Sequence, residues 1–249
     1  MTLKSLVGPA DHLSTQQTLI LIGFAGLTTL LIAVIPWLDG LEYPFRLLLT
    51  IAHELGHGLA ALLTGGEFIR FVVFPNGAGL ATTAGGWRWV IIPAGYVGAA
   101  LFGAGLIRLG RSPRWGRVTL GGIGMAMVLL TLRFGIPGIW GNGLLSGLLT
   151  TVSGLLLGGF FIWVALKASP GWIIYLLHLV AIQAGLTAFS DLMTVLGLSF
   201  RFFNAPANDA QSMAELTFIP AFIWAMLWAV IAVLLIGGAI WLTWASKRK

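Results

Sequence analysis

The chain has 249 residues, 58% of them hydrophobic and only 9% charged, where ordinary soluble domains carry about 25% charged residues. So apolar a chain lacks the polar surface that a soluble fold of this size needs, which leaves an integral, multi-pass membrane protein. The net charge of +6 then belongs to membrane orientation and lipid headgroups, and nucleic acid is excluded as a partner. The absence of cysteine likewise excludes disulfides, thiol nucleophiles and Cys-based metal sites.

Met1 to Gln17 is polar and reads as a tail before the first span, not as a cleaved signal peptide. A spanning helix needs about 20 mostly apolar residues, and Thr18 to Leu38 supplies them. Asp39, Gly40, Glu42 and Pro44 read as a polar turn. Leu47 to Thr64 is a second helix, stopped by Gly65-Gly66. From Glu67 to Ala84 the character changes. Phe68, Ile69, Phe71, Val72, Val73 and Phe74 favour a strand, Pro75-Asn76-Gly77 is a turn signal, and Ala78 to Thr83 can return beside the first strand. Such a hairpin must be covered by protein or line a cavity, because open strand edges are not tolerated in lipid.

Trp87 to Leu109 reads as a third helix, with Gly95, Gly98, Gly103 and Gly105 allowing close helix contact. Arg108, Arg111, Arg114 and Arg117 then cluster in a loop suited to anionic headgroups. Val118 to Leu132, Leu144 to Leu166, Trp172 to about Leu198 and Leu216 to Ala245 are the remaining helices, with a Gly/Pro-rich break at Gly135 to Gly143 and an irregular stretch at Ser199 to Asn208. No second domain and no repeat is legible. Residues 1–249 therefore read as one all-α multi-pass membrane bundle of six to eight transmembrane helices, with a small membrane-associated β-hairpin at 67–84.

The chemistry concentrates in the second helix. His53-Glu54-Leu55-Gly56-His57 has the form H-E-x-x-H, and it holds two of only four histidines. Residues four apart share a helix face, so both imidazoles can reach one Zn2+ ion, while Glu54, turned by about 100°, can act as general base on a water. Gly56 and Gly58 leave room for a substrate backbone or a neighbouring helix. Three adjacent polar groups in an apolar helix are a costly way to make inter-helix hydrogen bonds, which favours a metal site. A zinc site of this kind needs a third protein ligand. Asp191, Asp209, Glu215 and His178 are the candidates, and His178 also fits a plain inter-helix bond.

The motif, the following Gly65-Gly66, the hairpin and Ala94-Gly95-Tyr96-Val97-Gly98 together resemble the site-2 protease class, especially its small bacterial branch without a PDZ domain, over most of the chain from Thr50 onward. In that class a distant aspartate in an Asn-x-x-Pro…Leu-Asp-Gly setting completes the zinc site. Asn204-x-Pro206-x-x-Asp209 is the nearest match, although Asn208-Asp209-Ala210 replaces Leu-Asp-Gly. The resemblance thus points to Asp209, with Asp191 as runner-up. It implies an intramembrane zinc endopeptidase that cuts in or near a transmembrane segment of a membrane-protein or peptide substrate, in a bacterial inner membrane, with the hairpin presenting substrate as an added strand. The rival from another class is a non-proteolytic metal-binding transporter or scaffold. Neither substrate identity nor oligomeric state is legible.

Placing the arginine loop and the Lys247-Arg248-Lys249 tail in the cytoplasm gives seven spans with the N-terminus outside. His53 and Asp209 then fall at opposite depths, so either Ser199 to Asn208 re-enters the membrane or a short segment is not a span. Blander readings attach to Arg133 as a snorkelling charge, to Asn76 as a turn residue, and to Trp224, Trp228, Trp241 and Trp244 as lipid-facing or interfacial anchors.

Overall fold

The computed structural model describes residues 13–199 and 208–245, with side chains described over 13–187 and 208–243. Helix α1 spans Thr15–Val34; Ser14 caps it in a reciprocal box with Gln17, which satisfies two amide donors at its start. A 3-10 turn at Pro36–Leu38 leads into α2, Asp39–Leu63. The expected polar turn is therefore helical, and Pro44 lies inside α2, early enough that few intrahelical bonds are lost.

Strands β1 (Glu67–Val73) and β2 (Gly79–Ala84) form a two-stranded antiparallel sheet in which Phe71 faces Ala81 and a bulge falls between Phe68 and Arg70. At the turn, Gly77 adopts φ 84°, a region that L side chains avoid, and the Asn76 side chain accepts from the Ala78 amide at 3.0 Å. Asn76 is thus a turn residue, as expected.

The expected third helix is split at Pro93 into α3 (Arg88–Ile91) and α4 (Ala94–Leu109). Helix α5 (Pro113–Leu130) ends in a π turn at Thr131–Gly135, and the short α6 (Gly138–Gly141) fills the Gly/Pro-rich break before α7 (Leu144–Lys167) and α8 (Pro170–Ser199). Five helical segments among the described residues are long and apolar enough to cross a membrane, and α4 is a shorter apolar helix. With α2, whose length is comparable, they make a multi-pass membrane bundle around one small sheet. Residues 1–12 of the N-terminal tail and 200–207 of the irregular stretch lie outside the described residues, as does the Lys247-Arg248-Lys249 tail.

The expected last helix, Leu216 to Ala245, begins later, at Ala221, and its first two residues instead close a separate short helix. Helix α9, Asp209–Thr217, is capped by Asn208, whose side chain accepts from the Gln211 amide at 3.0 Å. It ends at Phe218, with φ 60°. After Pro220, α10 runs from Ala221 to Ile240 and closes in a π turn at Trp241–Ala245. Ala210 and Met213 of α9 bury themselves against Ala225 and Trp228 of α10, and the Trp224 indole donates to the Thr217 hydroxyl at 3.0 Å. Helix α9 therefore folds back along α10 and carries Asp209 about two turns along it.

Two sequence readings change here. Trp228 is not an outward anchor: it is 2% exposed and stacks on Tyr96, ring centroids 5.6 Å apart. Trp241 remains 60% exposed, as expected of an anchor. Arg117 does not reach outward to headgroups; its guanidinium donates to the carbonyls of Ala165 and Ala168, capping the C-terminus of α7 where a cation is favoured. Arg133 stays exposed with its guanidinium 4.8 Å from the Phe134 ring centroid.

Candidate metal centre

Helix α2 crosses α4 with almost no side chain between them. A Cβ at Gly56 would strike the Ala94 carbonyl oxygen, and one at Gly58 would overlap the Phe68 ring. The room left by these glycines is thus taken by a neighbouring helix and by β1. This close approach turns the imidazole face of α2 toward the start of α4, where Tyr96 meets the His53 ring edge-on at 4.8 Å. Tyr96 in turn rests on Trp228 of α10, so an aromatic column ties the motif to the helix along which α9 is folded.

Along that column three atoms that could ligate a metal converge. His53 Nε2 lies 3.0 Å from Asp209 Oδ2 and 3.1 Å from His57 Nε2, and His57 Nε2 lies 3.2 Å from the same carboxylate oxygen. His57 is fixed from behind, since its Nδ1 donates to the Ile91 carbonyl at 2.7 Å. That bond sets the tautomer and aims the Nε2 lone pair inward. In a tetrahedral site with bonds of about 2.0–2.1 Å, ligand atoms stand about 3.3–3.4 Å apart. The observed triangle is within a few tenths of an ångström of that. Gly95 keeps the space before both imidazoles clear: a Cβ there would fall on the Nε2 atoms of His53 and His57. The donor set, its spacing and the cleared space all fit a bound metal ion.

Glu54 sits beside this triangle at 6% exposure. It is held by the hairpin, with the Ala81 backbone amide directed at its carboxylate. A Cβ at Gly79 would strike Glu54 Oε1 and the Thr50 methyl. Thr50 in turn donates to the Gly77 carbonyl at 2.7 Å, pinning the hairpin turn to α2. The carboxylate, the imidazoles and Asp209 line one open cleft of about 780 Å³, together with Gly79, Leu80, Ala81 and Thr83 of β2, Arg46 at one end and Arg88 at the other.

Of the candidates for a third ligand, Asp209 joins His53 and His57. Glu215 lies in α9 and is exposed. His178 is buried in α8, and its Nδ1 donates to the Ile174 carbonyl of its own helix at 2.8 Å, so the expected inter-helix role is not what this nitrogen does. The Asp191 side chain lies outside the described residues. Sequence reasoning missed the Ile91 carbonyl, Tyr96 and Gly95 as parts of the site, although Gly95-Tyr96 stood in a segment already singled out for its resemblance.

A family model for Peptidase M50B-like proteins matches residues 26–239. The chain belongs to this family. It is the site-2 protease family, which makes the protein a metalloprotease by descent, and its apolar helices make it an integral membrane protein. No curated protein and no solved structure gives a match.

Proposed function

We propose that the protein is a zinc endopeptidase that hydrolyses a peptide bond in or near a transmembrane segment of another membrane protein. The observation that carries this reading is the convergence of His53, His57 and Asp209 beside the buried carboxylate of Glu54, in a cleft walled by a strand edge. His53 Nε2, His57 Nε2 and Asp209 Oδ2 would hold the ion. When bound, zinc supplies Lewis-acid polarisation of the scissile carbonyl and of the attacking water.

The chain's own residues do the rest. Glu54 takes the proton from the attacking water at a carboxylate oxygen and passes it to the leaving amine. The Ile91 carbonyl holds His57 in the tautomer whose Nε2 faces the cluster. The side of β2 away from β1 lines the cleft, and an unwound substrate segment can lie along it as a further strand. Burial of Glu54 against the hairpin shields its carboxylate from bulk water, where the same charge would be worth far less.

Buried ionisable groups are scarce elsewhere. Among the described residues only Glu54, His57 and His178 are buried, and two of these three belong to the cluster. A transport path would need them spread along several helices. The test is Glu54→Gln in purified protein: zinc content should stay at the wild-type ratio while cleavage of a model single-span substrate falls at least about a thousandfold, as for loss of an essential proton carrier. Undiminished cleavage would remove Glu54 from the mechanism, and zinc uptake into vesicles without cleavage would favour the transporter.

A further inference from the structure

The candidate site is built from two halves that no single helix holds together. His53 and His57 belong to α2, which packs along α4. Asp209 opens α9, which packs chiefly along α10, and α10 packs along α4 and α8. Helix α4 thus supports the histidine half directly and the aspartate half through α10.

Tyr96, in the first turn of α4, stands where these supports meet. Its ring lies 21° from the plane of Trp228 and at 88° to the His53 imidazole, the stacked and edge-to-face arrangements that aromatic rings favour. Trp228 is buried in the apolar cluster that also holds Ala210 and Met213, the residues that seat α9. One side chain therefore touches one histidine of the site and the residue that fixes the helix carrying the aspartate.

The two histidines differ in what holds them. His57 is tied to the backbone by its bond to the Ile91 carbonyl. Among the described residues His53 has no such bond: its Nε2 faces Asp209 and His57, and its ring is bracketed by the His57 and Tyr96 rings. The last torsion of a histidine is broad, so packing must set the plane of this ring.

We infer that Tyr96 is a positioning residue of the metal centre. Its ring orients the His53 imidazole and, through Trp228, docks the helix pair that brings Asp209 to the histidines. Affinity for the ion is then set across the Tyr96–Trp228 contact as well as by the three ligating side chains. The inference rests on the metal reading above, and the two fail in different ways.

The test is the zinc Kd of purified full-length protein, measured by competition with a chromophoric chelator, with unfolding temperature followed in parallel. Tyr96→Leu and Trp228→Leu, which keep an apolar side chain without its ring, should each weaken binding about 10–100-fold, as loss of an orienting partner does. Tyr96→Phe, which keeps the ring, should stay within about threefold of wild type. The double variant Tyr96→Leu/Trp228→Leu should be no more than about threefold weaker than the weaker single one, because changes acting through one contact do not add. Leu120→Ala, a fully buried change in the other apolar cluster, should lower the unfolding temperature and leave the zinc Kd unchanged.

An unchanged Kd in folded Tyr96→Leu overturns the inference, as does a Tyr96→Phe as weak as Tyr96→Leu. Equal weakening by Leu120→Ala also overturns it, since affinity would then follow stability alone. A wild-type protein that binds no zinc overturns the metal reading itself and the inference with it.

Discussion

The two strands of the hairpin are neighbours with opposite fates. In β1, Phe71, Val72 and Val73 are fully buried, and its outer edge is sealed by Thr150 of α7, whose hydroxyl accepts from the Val73 amide at 2.7 Å. Arg70 adds a bond from its Nε to Asn142 at 2.8 Å. In β2, Gly79-Leu80-Ala81-Thr82-Thr83-Ala84 has small side chains apart from Leu80, none of them buried, and its far edge faces the cleft. One strand is thus spent on packing and the other kept open beside Glu54. A two-stranded sheet is marginal by itself. Here the buried strand is what allows the exposed one to exist inside a membrane protein, because unpaired backbone is tolerated at that depth only where it lines a cavity.

That division can be attacked from both sides. The largest effect should come from Phe71→Ala, which empties a fully buried site in β1 and should cost about 3–5 kcal/mol of stability, read as a fall in unfolding temperature in detergent. Gly79→Ala should do the opposite: it pushes on the Glu54 carboxylate and should lower kcat about a hundredfold, as a misplacement of about 1 Å can, with unfolding temperature and zinc content held. If Gly79→Ala unfolds the protein instead, β2 is a packing strand and the comparison collapses. Thr150→Val leaves the Val73 amide buried and unpaired and should cost about 1–3 kcal/mol, with kcat per folded molecule unchanged. Leu80→Val, on the half-open face of β2, should move stability by less than about 0.5 kcal/mol, and any change it makes should appear in KM for peptide substrates.

Much of this was legible beforehand, and the parts that were not share a cause. The hairpin could be read from its β-forming run and its Pro-Asn-Gly turn, and helix ends at Gly65-Gly66 and in the Gly/Pro-rich break came out close to expectation. Misreadings arose where a local signal was overruled by packing. Asp39 to Pro44 looked like a turn but opens a helix, and Trp228 looked like an outward anchor but fills the core beside Tyr96. Leu216 to Ala245 looked like one helix because its apolar run barely pauses. The reversal at Phe218 and Pro220 is a backbone event that hydropathy does not register.

His53, Glu54 and His57 were decided by the sequence alone, since a helix of 3.6 residues per turn puts residues 53 and 57 on one face wherever the helix lies. The third member of the candidate site was not. Asp209 lies 156 residues from His53, and no periodicity spans that distance. Its depth depends on α9 folding back along α10 and on the Tyr96–Trp228 stack that sets α10 against the motif. Only tertiary structure could close the triangle, because its third corner is held by contacts between helices, not by the geometry of any one of them.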